Sequence, residues 1–328
     1  MNTERARQFW VQSPGHGEIV AANLPLRQEG EVLVRTLYSG ISRGTETLVY
    51  RGEVPDSQHD VMRAPFQVGD FSGPLKYGYS SVGEVLEGPA SLVGQTVFCL
   101  YPHQDLYCVP AESVTPLPTA VPPSRAVLAA NVETALNAVW DSQAGPGDRI
   151  VVIGAGVVGL LVAWLCNSLP GADVLLVDVD PTRAAVAAAL GVPFADDVSE
   201  AGDADLVFHA SGQPAGLRTA LAAAGREATI LEVSWYGTKA VSLPLGEAFH
   251  SRRLTLKSSQ VGAIPSHRTP RWSHARRMSV ALSLLEDARL DALIRDESDF
   301  EDLPDVMDRL SRAAGGALCH LIRYPSQP

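Results

Sequence analysis

Asp148-Arg-Ile-Val-Val-Ile-Gly-Ala-Gly-Val-Val-Gly-Leu-Leu161, with Asp178 ending the next apolar run, is the stretch that decides the fold. It reads as strand, tight glycine turn, helix, then a second strand closing on a carboxylate. Gly154 permits the turn. Gly156 has no Cβ, so a pyrophosphate can approach the backbone, and Gly159 lets the helix pack close to the strand. The helix N-terminus at Val157 and Val158 offers unpaired N–H groups and a positive dipole end to the phosphates. Asp178 lies 24 residues beyond Gly154, near the spacing of an acid that holds the adenosine ribose hydroxyls. A carboxylate there repels a 2′-phosphate, so NAD is expected in preference to NADP. The competing reading is a glycine-rich turn in an α/β core that binds nothing.

The bulk numbers narrow the function classes. At 328 residues the chain is long enough for two domains, and 46% hydrophobic residues support sizeable cores. A net charge of −11 and a pI near 5.2 argue against nucleic acid or an anionic membrane as partner; the expected partner is a small-molecule substrate. Cys99, Cys108, Cys166 and Cys319 form no C-x-x-C pair. Neither a disulfide framework nor a cysteine-rich zinc site is read from them, which fits a reducing cytoplasm. The segment Met1-Asn-Thr-Glu-Arg-Ala-Arg7 is charged and lacks the apolar region of a secretory signal. The uncharged run from Ile150 to Ala172 has the length of a membrane span. Its glycines, Asn167, Ser168 and Pro170-Gly171 break it instead into strand, turn and helix.

Residues 17–110 read as all-β, with short runs of β-formers such as Glu31-Val-Leu-Val-Arg-Thr-Leu37 punctuated by Gly and Pro. Five prolines at 110, 116, 118, 122 and 123 mark a boundary loop. From Arg125 to Ser142 the spacing becomes helical, with Val127, Ala130, Val132 and Leu136 as candidate buried positions. Strands and helices then alternate. Asp180-Pro181 starts a helix that stops at Gly191. Alternation of this kind implies a parallel sheet with right-handed crossovers. The tail from Ser273 is helical at first, with Met278, Leu282 and Leu285 on one face, and ends in a strand over 317–323.

A β-rich half followed by a dinucleotide fingerprint is a recognisable order. Gly40-Ile-Ser-Arg-Gly-Thr-Glu46, Gly78-Tyr-Ser-Ser-Val-Gly-Glu-Val85, Val109-Pro-Ala-Glu-Ser-Val-Thr-Pro-Leu-Pro118, Thr134-Ala-Leu-Asn-Ala-Val139 and the Gly154 turn carry a resemblance that spans nearly the whole chain. By them the chain resembles the medium-chain dehydrogenase/reductase superfamily, the zinc alcohol dehydrogenase group. Its Gly-Ile-Ser-Arg-Gly-Thr-Glu version looks like the group around bacteriochlorophyllide (hydroxyethyl) dehydrogenase. The resemblance implies an α/β fold: a doubly wound, Rossmann parallel sheet over 124–262, beside a GroES-like β-rich domain formed by 1–123 and completed by 263–328. It also implies an active site in the cleft between them and a homodimer.

Zinc members hold their metal with a Cys, a His from Gly-His-Glu, and a further Cys or Glu. Carried over one at a time, these fall on Ser42 or Arg43, on Tyr79 with Ser80 in place of the acid, and on Ala130. Such residues are poor zinc ligands, since Zn²⁺ wants thiolate, imidazole or carboxylate. The expectation is an enzyme with no metal. An unusual site using Glu46, Glu133 or His103 is the counter-reading.

Hydride transfer without zinc needs hydrogen-bond donors for charge developing on the substrate oxygen. Tyr79, in the lost histidine's place, is the first candidate, with Arg43 or Lys76 as a cation that would lower its pKa. Ser42 and Thr45 sit where zinc enzymes place the metal cysteine and the proton-relay hydroxyl. Arg43 and Glu133 are candidate substrate residues, although Glu133 on a helix is read first as solvated. Thr134 matches the superfamily threonine beside the nicotinamide. Arg183 lies where the superfamily stacks an arginine on adenine, and Ser211-Gly212 matches the loop that borders the cofactor. His209 is read as a satisfied strand histidine, and the basic run from Arg271 to Arg277 as a solvated helix face. The expected reaction interconverts a secondary alcohol and a ketone with NAD(H). Reduction of an activated C=C bond, as in zinc-free quinone or enoyl reductases, and a non-catalytic nucleotide-binding redox sensor are the alternatives.

Overall fold

The computed structural model describes residues 5–199, 201–312 and 317–325. The chain divides into two compact units: Asn131–Arg277, and Met1–Ala130 together with Met278–Pro328.

The unit Asn131–Arg277 is built on one six-stranded sheet. Its strands are β1 (Arg149–Ile153), β2 (Asp173–Val177), β3 (Phe194–Ala195), β4 (Ala204–His209), β5 (Ala224–Glu232) and β6 (Thr255–Ser258), in the spatial order β3-β2-β1-β4-β5-β6. Every neighbouring pair is parallel. The winding direction reverses between β1 and β4, which is where open α/β sheets leave a crevice at their strand ends. Val151, Ile153, Val207 and Ile230 of the sheet bury against Leu217 and Leu221 of the helix Pro214–Ala223. Each such side chain contributes about 1.5–3 kcal/mol. The helix after β1, Val157–Cys166, begins at Gly156. Asp180 starts the next helical segment by accepting from the Thr182 N–H, Pro181 holds its first position, and Gly191 ends it in the left-handed region at φ 72°.

The β-rich unit has a sheet in the order Ile294–Asp299, Cys319–Arg323, Glu31–Ile41, Ser81–Glu87, Thr96–Cys99 and Val114–Pro116, with Leu106–Pro110 also paired to Glu31–Ile41. The C-terminal strand thus runs antiparallel to Glu31–Ile41, with His320 opposite Ile41. A second sheet joins Arg5–Ser13, His16–Asn23, Leu75–Lys76 and Val68–Gly69. Val32, Val34, Val85, Val97 and Tyr107 form a core under the larger sheet.

Three sequence expectations need correction. Residues 17–110 are not all strand, because Arg43–Tyr50 is a helix. Its start is fixed by Glu46, whose Oε1 accepts from the Ser42 N–H at 2.7 Å, and it buries Leu48, Val49 and Tyr50. The helix expected over 125–142 is two helices, Pro123–Ala126 and Ala129–Ser142, separated by a tighter turn in which the Leu128 N–H donates to the Arg125 carbonyl. Val127, Ala130, Val132 and Leu136 are buried as expected.

The third correction concerns Glu133 and the basic run. Glu133 is not solvated, and Arg277 is 1% exposed. Arg277 Nε donates to Glu133 Oε1 at 3.0 Å, and its Nη2 donates to the Val261 carbonyl at 2.6 Å. Arg276 lies 3.9 Å from the Trp272 ring centre, and Arg268 lies over both Trp140 and Trp272. The buried Glu133 carboxylate therefore withdraws Arg277 from the expected open face, while Arg271 and Arg276 are exposed as expected, Arg276 lying over an aromatic ring. Burial pushes the Glu133 carboxyl above its ordinary value, against the pull of Arg277. Arg277→Met should therefore destabilise the fold by about 3–5 kcal/mol, because it strands a buried carboxylate. The double variant Glu133→Leu/Arg277→Met should recover most of that loss in urea unfolding, and equal losses in both proteins would contradict the pairing.

Candidate active site

In the β-rich unit, Ser42 precedes the helix Arg43–Tyr50, Thr45 lies in its first turn, and Tyr79 follows the strand Leu75–Lys76. The Ser42 and Thr45 hydroxyls both hydrogen-bond the Tyr79 phenol. All three keep part of their surface exposed, as does Arg43. The three hydroxyls singled out as catalytic thus form one cluster. Its electrostatics differ from expectation. Burial, and then the charge of Glu46, raise the Tyr79 pKa well above the ordinary phenol value, and the hydroxyls of Ser42 and Thr45 only partly oppose this. Among the described residues, the groups that chiefly shift it include no cation. Lys76 turns instead to Gln104 Oε1 at 2.6 Å and lies over the Tyr101 ring, where burial pushes its amine down to about 8.

Beneath the cluster runs a buried polar chain that the sequence reading did not assemble. Glu46 Oε2 lies 2.8 Å from His103 Nε2, and both residues are at most 2% exposed. The other ring nitrogen meets Ser39 Oγ at 2.7 Å, and Ser39 meets the Tyr324 hydroxyl at 3.1 Å. Gly78 leaves the space that His103 occupies, since a Cβ there would stand 2.9 Å from the ring. The carboxylate accepts, so Nε2 carries the proton and Nδ1 accepts from Ser39.

The residues that the resemblance aligns with the zinc ligands, Ser42 or Arg43, Tyr79 and Ala130, do not offer the thiolate, imidazole or carboxylate that Zn²⁺ takes. Among the described residues no group of three His, Cys, Asp or Glu is arranged to hold a metal. Glu46 and His103 are bonded to each other, and Glu133 is committed to Arg277.

In the other unit the fingerprint residues fit a dinucleotide. Gly154 has φ 106°, and a Cβ there would stand 2.6 Å from the Ser211 nitrogen. A Cβ on Gly159 would stand 1.8 Å from the Gly154 carbonyl oxygen, so helix and strand touch through glycine alone. A Cβ on Gly156 would meet nothing within 4 Å, which leaves open space over the turn. The first helical N–H groups, at Val157, Val158 and Gly159, have no carbonyl within the helix to receive them. Asp178, just after β2, accepts from the Ala155 N–H at 2.6 Å and from the Asp180 N–H at 2.9 Å. Its carboxylate keeps lone pairs for a ribose hydroxyl. Arg183 is buried and pairs with Asp180 at 3.4 Å. Thr134 is half-buried on the helix Ala129–Ser142, beside the committed Glu133.

The strand histidine is satisfied, as expected, by Ser211 two residues on and by Glu232, which ends the neighbouring strand. His209 Nδ1 lies 2.8 Å from Glu232 Oε2, and its Nε2 lies 2.6 Å from Ser211 Oγ. Their one sequence signal is place: each ends, or directly follows, a strand of the parallel sheet.

No family model matches the chain. D-guloside 3-dehydrogenase of Escherichia coli is 23% identical over 325 residues, covering 90% of this chain and 91% of the relative. The 2-dehydro-3-deoxy-L-galactonate 5-dehydrogenase of Pseudoalteromonas atlantica is 27% identical over 243 residues, covering 64% of this chain and 71% of the relative. Among solved structures, a zinc-binding dehydrogenase of Sinorhizobium meliloti bound to NADP has a TM-score of 0.77 at 17% identity, covering 98% of this chain and 99% of that one. An Escherichia coli alcohol dehydrogenase complexed with NADH has a TM-score of 0.74 at 18% identity, covering 97% and 99%. The fold is α/β, a parallel Rossmann-type sheet with separate β-rich, GroES-like sheets. By its relatives' names and by its fold, the chain is similar to the medium-chain, zinc-type alcohol dehydrogenase-like superfamily.

Proposed function

We propose that this chain is an NAD(H)-dependent oxidoreductase that interconverts a secondary alcohol and a ketone without zinc. One observation carries the reading: the Tyr79 phenol, kept protonated by burial, is hydrogen-bonded by Ser42 and Thr45, and the resemblance aligns Tyr79 with the metal-binding histidine of the zinc enzymes. The relatives named above are dehydrogenases of hydroxylated molecules, which supports a ketone bearing further hydroxyls as substrate. The nicotinamide dinucleotide, when bound, supplies or takes up a hydride.

The chain's own residues do the rest. The open turn at Gly156 and the N–H groups beginning at Val157 hold the pyrophosphate. Asp178 takes the adenosine ribose hydroxyls, and its charge disfavours a 2′-phosphate, so NAD is the proposed partner. Tyr79 donates its hydrogen bond to the ketone oxygen and passes its proton as alkoxide character develops. An alkoxide is a stronger base than a phenolate, so this transfer runs downhill even from a phenol raised by burial. We place this chemistry in the cytoplasm, with no nucleic acid or membrane as partner. The acidic balance of the chain supports this, and among the described residues no helix is long and apolar enough to cross a membrane.

Tyr79→Phe should lower kcat for ketone reduction by about 10²-fold while leaving the Kd for NADH unchanged. An unchanged kcat would remove the phenol from the mechanism. Because the Tyr79 pKa lies above its ordinary 10.0, the phenol stays protonated throughout the neutral and mildly alkaline range. The pH profile of kcat up to about 9 should therefore show no falling limb that Tyr79→Phe abolishes, and such a limb would contradict the assignment. For the cofactor, Gly156→Ala should fold within about 1 kcal/mol of the parent, since its φ of −74° suits alanine. Its new methyl should nevertheless weaken NADH binding by about 10-fold or more. Unchanged NADH affinity would mean that the turn binds no pyrophosphate.

A further inference from the structure

The ends of β4 and β5 carry polar groups that the mechanism above does not use. His209 is fully buried, yet both its ring nitrogens are engaged. Glu232 gathers three donors. These are His209 Nδ1 at 2.8 Å, the Ser234 N–H at 2.8 Å and the Tyr236 hydroxyl at 3.1 Å. Burial and the Glu232 charge raise the Tyr236 phenol pKa, so it stays a donor. A carboxylate only accepts, so in the neutral imidazole Nδ1 carries the proton and Nε2 is an acceptor. The sole proton of Ser211 Oγ therefore points at His209, 2.6 Å away. The Gln213 N–H donates to the same oxygen at 3.2 Å. Gly216 seals this arrangement, since a Cβ there would stand 2.3 Å from Ser211 Oγ and 2.8 Å from His209 Nε2.

Ser211 also has a defined place along the strand ends. Its backbone packs on Gly154 of the fingerprint turn. Asp178 stands at the end of β2, the fingerprint at β1, and Ser211 at β4, on the side away from Asp178. A dinucleotide lying across the switch point with its adenosine ribose at Asp178 and its pyrophosphate at the turn carries its second ribose toward β4.

We propose that His209, oriented by Glu232, is a positioning residue that makes Ser211 Oγ a fixed hydrogen-bond acceptor for a hydroxyl of the second ribose. The inference rests on the dinucleotide reading and deepens it. An acceptor held this way takes a ribose hydroxyl and turns away an anion such as a phosphate.

Binding of three ligands to the full-length protein separates the outcomes: ADP, which lacks the second ribose; ADP-ribose, which adds it; and NADH. Ser211→Ala, a small change at a half-buried position, should weaken ADP-ribose and NADH by the same factor, about 5–10-fold, the value of one hydrogen bond. It should leave ADP unchanged. His209→Gln should show the same pattern and add nothing in the Ser211→Ala background, because it acts through that oxygen. Glu232→Gln should reproduce it more weakly. Equal loss of ADP affinity would mean a merely structural role and overturn the proposal, as would NADH weakened without ADP-ribose, or additive losses in the double variant. Parent protein that binds none of the three ligands would instead sink the dinucleotide reading itself and this inference with it.

Discussion

A carboxylate taken out of water has to be met by donors, and Glu46 is the one on which the β-rich half of the account depends. At 2% exposure it is held by the Ser42 N–H at 2.7 Å and His103 Nε2 at 2.8 Å. The first of these bonds starts the helix Arg43–Tyr50 and so fixes where Ser42 and Thr45 stand. Burial, and after it this charge, keep the Tyr79 phenol protonated. One buried group therefore sets the geometry of the hydroxyl cluster and reinforces the acid form that burial gives it. His103, Ser39 and Tyr324 extend the support to the C-terminal strand, so the cluster is anchored from both ends of the chain.

The nucleotide unit answers a different constraint, close approach. Helix and sheet meet at Gly159 with no room for a Cβ, and the fingerprint turn meets Ser211 just as tightly at Gly154. Asp178 then ties the turn to β2 through the Ala155 N–H. These contacts fix open space above Gly156, and they place a carboxylate on one side of it and a serine on the other. Anion affinity at the helix start and donor preference at the flanks are what a dinucleotide requires.

Local signals were the legible part of the sequence. Strand, turn and helix around Gly154, the Asp180-Pro181 start, the Gly191 stop and the parallel sheet could all be read, because each is encoded within a few residues. The trio Ser42, Thr45 and Tyr79 was reachable only through resemblance, since 33 residues separate Thr45 from its hydrogen-bond partner Tyr79. What stayed hidden are pairs made by the tertiary fold. Glu133 and Arg277 lie 144 residues apart, and Glu46 and His103 lie 57 apart. Spacing carries no information about such pairs. The sign of the Tyr79 shift was misread for the same reason: Lys76 is near in sequence, but it packs against Tyr101 and Gln104. A buried carboxylate from another element took its place as the neighbouring charge.

The central claim is that hydroxyl donors do what zinc does in the related enzymes. The most direct test measures metal content and turnover on the same sample. Protein purified, dialysed against chelator and assayed by plasma mass spectrometry should reduce a hydroxylated ketone with NADH at full kcat while carrying far less than one zinc per chain. Turnover that falls with chelation and returns in proportion to added zinc would contradict the account.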